Sequence, residues 1–158
     1  MDTVRILALV VLLLGVVAVV IGGVFIGLGV IQDNNIKTDM RSENVTLANL
    51  GVEGAPQGNV IDSMAEAQRA ADTIREHRKG IASSYEDLLG GGRYDPTNPR
   101  HLTYTQALNL ENYLYLGVAA LGLTQVVTAS GVFMVVTGLA LAGAGLALNR
   151  LGRRLPKQ

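Results

Sequence analysis

Residues 6–31 read ILALVVLLLGVVAVVIGGVFIGLGVI, 26 positions without a charged side chain. An α-helix rises ~1.5 Å per residue and the hydrocarbon core of a bilayer is ~30 Å thick, so ~20 such residues are enough to cross it. A secretory leader has an apolar stretch of only ~7–15 residues, followed by a small-x-small cleavage site. The run here is longer, and the sequence that follows, QDNNIKTDM, offers no such site. The reading is an uncleaved transmembrane helix over 6–31, preceded by a short N-terminal flank, 1–5.

A second charge-free run covers 113–149. As one helix, residues 113–148 would measure ~54 Å, well beyond the thickness of the hydrocarbon. Splitting the run at Thr128-Ala129-Ser130 would leave two short arms with no Pro, Asn-Gly or charged turn between them. The reading is therefore one long helix over 113–149. Its 124–148 part spans the membrane, and Tyr113 and Tyr115 stand above the interface.

Composition agrees with these two runs. Of 158 residues 49% are apolar and 16% charged, and mean hydropathy is +0.32. Thirteen Lys+Arg balance thirteen Asp+Glu, without a basic stripe interleaved with aromatics, so nucleic acid is not an expected partner. The chain has no cysteine, which excludes a disulfide framework, a thiolate nucleophile and cysteine-held metal.

Lys and Arg in short flanks resist translocation and so fix orientation. The segment 150–158 carries Arg150, Arg153, Arg154 and Lys157 with no acid, whereas 32–112 carries 8 Lys+Arg against 12 Asp+Glu. These flanks predict an integral membrane protein with both termini cytoplasmic, a basic cytoplasmic tail at 150–158, and 32–112 extracytoplasmic.

Lipid chains are as apolar as leucine, so helices associate in a membrane where small residues let backbones approach. Ala8, Gly15, Gly22 and Gly29 recur every seven residues, and Gly117, Thr124, Gly131, Gly138 and Gly145 do the same. A strict heptad keeps one seam facing a partner when helices cross left-handedly at about +20°. An antiparallel hairpin with Arg5 level with Arg150 would set Gly15 beside Gly138, Gly22 beside Gly131 and Gly29 beside Thr124. Gly23-x-x-x-Gly27 marks a second possible contact face. The fold class is an all-α membrane protein: a two-span helical hairpin with a mostly helical and loop segment between the spans.

Within that segment, 32–59 reads as mostly loop, with a possible short strand at 45–50. Ser63-Met64-Ala65-Glu66 is a capping box opening a helix over about 63–79 that stops at Gly80. The run Arg69, Asp72, Arg75, Glu76, Arg78, Lys79 on that helix reads as a solvated face. A short helical turn at 84–89, a Gly-rich joint at 90–92 and a proline turn at 95–99 follow. Thr103-x-x-Gln106 looks like a second capping box leading into the long helix. Leu, Ile, Val and Phe number only 14 of these 81 residues. A domain that poor in apolar side chains needs its own spans, further copies or a larger partner to lie on.

No constellation for chemistry emerges. His77 and His101 lie outside any metal-ligand spacing, although His101 could sense pH. The glycine triplet lacks the Lys-Ser/Thr of a phosphate loop. The spans hold no ionisable residue, which proton relays and transporters normally need. No catalytic, cofactor or metal residue is expected, and the chain is not expected to be an enzyme. Asn44-Val45-Thr46 is a glycosylation sequon. The expected function is a non-catalytic accessory or structural subunit of a larger integral-membrane complex, partnered by polytopic subunits or copies of itself. One alternative is a homo-oligomeric channel lined by Thr124, Gln125, Thr128 and Ser130. Another is an outer-face sensor using His101, Tyr94 and Tyr104.

Overall fold

A computed structural model describes residues 3–154, with the backbone alone at Arg154. The described residues are 80% helical and include no strand. Four helices follow in order: α1 (Thr3–Ser42), α2 (Met64–Ile81), α3 (Tyr85–Leu89) and α4 (Pro99–Arg154). α1 and α4 are both long and apolar enough to cross a membrane. Only 11% and 17% of their most apolar windows are buried, far too little for the core helices of a soluble protein. The chain forms two compact units, one comprising the described residues up to Gln32 and from Thr124 onward, the other Asp33–Leu123.

In the first unit α1 and α4 meet at backbone distance. A methyl group placed on Gly15 would fall 2.6 Å from the Gly138 carbonyl oxygen, and one on Gly22 2.6 Å from that of Gly131. One on Gly145 would lie 2.9 Å from the carbonyl of Ala8, itself fully buried. Gly29 abuts the Thr128 hydroxyl, which donates to the Thr124 carbonyl at 2.9 Å. The paired positions rise in one helix as they fall in the other. Arg150 and Arg153 are exposed, and Lys157 lies outside the described residues.

The second unit corrects several expected boundaries. The 32–59 region is not mostly loop, because α1 continues to Ser42. Its polar last turns are tied by the Lys37–Asp33 ion pair at 2.6 Å and by the Thr38 hydroxyl donating to the Asn34 carbonyl. The strand expected at 45–50 is a lone antiparallel bridge, Thr46 with Val60, followed by a single 3-10 turn, Ala48–Leu50. Gly51 closes that turn at φ 76°, left-handed backbone that glycine adopts without strain.

Ser63 caps α2, accepting from the Glu66 N–H, while Glu66 accepts from the Ser63 hydroxyl at 2.8 Å and from Asn59. The helix passes through Gly80 rather than stopping there. Its last carbonyl, on Ile81, is satisfied by the Arg100 guanidinium at 2.6 Å, so no glycine cap is needed. α3 is capped by Ser84 and closed by left-handed Gly90.

The long helix begins well before 113. Asn98 accepts from the Arg100 N–H at 2.9 Å, and Pro99 occupies the first helical position, where its fixed φ and missing donor cost nothing. Thr103 is therefore inside α4, its hydroxyl donating to the Pro99 carbonyl, and is not a cap. The helical state also extends into both expected flanks, 1–5 and 150–158, from Thr3 and as far as Arg154.

The core of this unit draws on both long helices. Leu47, Val52, Ile61, Ile74 and three fully buried alanines of α2 (Ala67, Ala70, Ala71) gather around Leu114, flanked by Met40, Leu110 and Val118. The support for this core thus comes from the segment's own two long helices.

Candidate functional site

The charged face of α2 is not simply solvated. Glu111 of α4 has a side chain only 6% exposed, and Arg78 opposite it only 11%. A buried carboxylate is tolerable when its oxygens are occupied by charged donors. Arg78 Nε donates to Glu111 Oε2 at 2.6 Å, and Arg75 Nε to Oε1 at 3.0 Å. Arg78 Nη1 also donates to the Tyr104 hydroxyl at 2.6 Å. Burial alone would raise the Glu111 carboxyl, but the hydrogen bonds and charges of Arg78 and Arg75 together hold it below the ordinary glutamate value.

Two aromatic rings flank the pair. The Arg75 guanidinium lies 4.5 Å from the Tyr115 ring centre and that of Arg78 5.1 Å from the Tyr104 ring centre. Such stacking holds each guanidinium in the orientation its carboxylate needs. The Tyr115 hydroxyl donates to Asp72 Oδ1 at 2.6 Å, and Gln68 donates to the same carboxylate. Glu111, Arg75, Arg78, Tyr104, Tyr115 and Asp72 thus form one clasp between α2 and the adjoining stretch of α4. With both Glu111 oxygens accepting from guanidinium donors, the clasp ties α2 to α4.

Tyr115 gives the clasp an alkaline limit. Burial, and then the hydrogen bond to Asp72, push its phenol up to about 12 from an ordinary value of 10. A raised folded value means the contribution is whole below pH 10 and is lost as pH climbs from there through 12. The difference between the tyrosinate absorbance titrations of wild type and Tyr115→Phe is expected to show one phenol ionising near that upper limit. The substitution itself should cost about 1 kcal/mol of stability.

The heptad residues divide between the units. Gly15, Gly22, Gly29, Thr124, Gly131, Gly138 and Gly145 lie at the close approaches described above, and Thr124 is 7% exposed. Gly117 does not join them and is corrected here. A methyl group on it would meet only the Met40 terminal methyl, at 3.8 Å. Gly117 instead lines an apolar cavity of about 540 Å³ with Met40, Val45, Ile61, Leu110 and Leu114, with Glu43 and Tyr113 at its rim.

His101, the residue of the sensor alternative, is buried. Its Nδ1 accepts from the Asp95 N–H at 3.0 Å, and its ring stacks on Tyr94 at 5.7 Å. Asp95 in turn holds Thr97 through two hydrogen bonds, so this histidine fixes the entry turn of α4. His77 lies against Gly51 in a polar cleft with Glu53, Arg69 and Glu76. Among the described residues no three His, Asp or Glu side chains are grouped to hold a metal ion. No protein family, curated protein or solved structure matches the chain.

Proposed function

We propose that this chain is a non-catalytic accessory or structural subunit of a larger integral-membrane protein complex. In this reading α1 and α4 form an antiparallel, left-handed transmembrane hairpin with cytoplasmic termini. The hairpin braces the transmembrane helices of a polytopic partner, and the extracytoplasmic segment 32–112 covers that partner's outer face. The observation that carries the reading is the second glycine face of α1. Gly23 and Gly27 are exposed, and a methyl group on either would meet nothing within 4 Å. The seam glycines are used inside the chain; this pair leaves backbone open to close approach by another helix.

The test is gentle solubilisation of the tagged full chain, followed by native mass spectrometry of what co-purifies. Stoichiometric recovery of one larger polytopic protein is expected, with its loss in a Gly23→Leu/Gly27→Leu double variant whose hairpin is intact. Pure monomer from wild type would refute the reading. A homo-oligomeric pore is the second reading, favoured by Gln125 and Ser130, which are exposed on the apolar part of α4. Thr124 and Thr128 support it less, because they face α1. A ring of this chain alone, conducting ions in liposomes, would establish the pore instead.

A further inference from the structure

The entry turn of α4 depends on an imidazole nitrogen that carries no proton. His101 Nδ1 accepts from the Asp95 N–H at 3.0 Å, and a ring nitrogen accepts only in its unprotonated form. The neutral ring therefore holds its proton on Nε2. An imidazolium has two donors and no acceptor, so protonation sets an Nδ1–H against the Asp95 N–H. With only 8% of His101 exposed, the new charge reaches water only if ring and turn separate.

The rest of the turn hangs on the same residues. The Asp95 carboxylate accepts twice from Thr97 and its carbonyl accepts from the Asn98 N–H, while Asn98 accepts from the Arg100 N–H to cap α4. The Tyr94 ring stacks on His101 at 5.7 Å and 24°. The neighbouring groups offer no substitute for the Nδ1 bond. Thr97 holds the Asp95 carboxyl below the ordinary aspartate value, so it stays charged between pH 5 and 8 and does not titrate with the ring. The Tyr104 phenol, one turn along α4, is taken by Arg78, and the Arg100 guanidinium by the Ile81 carbonyl. Among the described residues no charged side chain is hydrogen-bonded to the ring.

We propose that His101 is a proton-operated latch on the turn 94–98, closed while its imidazole is neutral and released once Nδ1 is protonated. Imidazole is the side chain whose charge ordinarily changes between pH 5 and 8, so the latch answers to mild acid. It needs neither the spans nor a partner, and stands apart from the accessory-subunit reading.

The test uses the full chain in detergent micelles with ¹⁵N-labelled histidine rings. There are two histidines, so replacing the exposed one, His77→Gln, leaves His101 alone in the spectrum. Two-bond ¹H–¹⁵N correlations read its tautomer and charge, and hydrogen exchange, corrected for its intrinsic pH dependence, reads the turn. The expected result is the Nε2–H tautomer at pH 7.5 and protonation before pH 5, with Asp95 amide protection falling about five- to tenfold as the proton is taken up. The α2 amides should keep their protection over that range. His101→Asn, whose Oδ1 stands in for Nδ1 and takes no proton, should keep the turn closed at both pH values, and His101→Phe should leave it open at both. A proton on Nδ1 at pH 7.5, a ring still neutral at pH 5, or Asp95 protection unmoved by protonation would overturn the proposal. So would loss of α2 protection in step with that of Asp95, which is general unfolding. These readings come from the native His101, so they stand even where a variant at that position fails to fold.

Discussion

Leucine at Gly22 or Gly131 is expected to destabilise the pairing of α1 with α4 by at least about 2 kcal/mol, whereas leucine at Gly23 or Gly27 should change it by less than about 0.5 kcal/mol. The difference follows from what each added carbon would strike. At Gly22 it meets the Gly131 carbonyl oxygen at 2.6 Å, and at Gly131 it meets the Gly22 carbonyl oxygen at 2.7 Å. A carbonyl in a helix cannot swing aside as a side-chain tip can, so the axes must separate and contacts along the seam weaken together. Even alanine gains up to ~1 kcal/mol of helix propensity over glycine, which the clash must exceed. Alanine at Gly23 should therefore be neutral or stabilising. The chain has no cysteine, so a pair introduced at Val4 and Gly152 can report association by disulfide formation. A Cβ on Gly152 would lie 4.0 Å from that of Val4, within disulfide reach. Titration with SDS then compares midpoints, and equal midpoints for Gly22→Leu and Gly23→Leu would remove the seam from the account.

Glu111→Ala is expected to cost about 3–5 kcal/mol, the cost of leaving a buried cation without its partner. Arg75→Ala, whose side chain is 43% exposed, should cost about 1 kcal/mol or less. The Glu111→Ala/Arg78→Ala double variant should lose clearly less than the sum of its singles, since each single strands the other's charge. Acid acts on the same group. A carboxyl held below its ordinary value contributes stability that is whole above the unfolded value of ~4.3 and is lost as pH falls through the folded value. Hydrogen exchange of the α2 amides should therefore be independent of this group above about pH 5 and lose protection below ~4.3. Glu111→Gln should lack that part of the acid dependence. Protection unchanged in Glu111→Ala would mean that the alanine face of α2 alone holds the helix.

The two long helices were legible because a charge-free run of 26 residues has few other fates. So was the start of α2, since Ser63 and Glu66 stand at the spacing that satisfies first-turn donors. The ends of elements were not. Gly80 signals a stop, but Arg100, far along the chain, satisfies the carbonyl of Ile81 and lets the helix continue. Thr103 mimics a cap only while the Asn98-Pro99 pair upstream is overlooked. Gly117 shares the phase of Gly131 and Gly138, yet phase alone does not say whether a backbone stands opposite it.

The clasp left a fainter trace. Tyr104, Glu111 and Tyr115 are spaced to share one face of a helix, and Asp72, Arg75 and Arg78 one face of another. Each set by itself reads as ordinary surface. Only their apposition, fixed by the packing of Ile74 and the α2 alanines near Leu114, turns six polar residues into one network around the buried Glu111–Arg78 pair.

That the core of 33–123 is completed by α4 also sets a schedule for the ribosome. Leu47, Val52, Ile61 and Ile74 are polymerised well ahead of Leu110, Leu114 and Val118, the last of these about 40 residues after Ile74. At ~5–20 residues per second the early part waits roughly 2–8 seconds for its apolar partners, with Arg75 and Arg78 still hydrated and Glu111 not yet made. During that interval the nascent segment is open to proteases and to capture by other chains, and its maturation ends only when the last long helix has been synthesised.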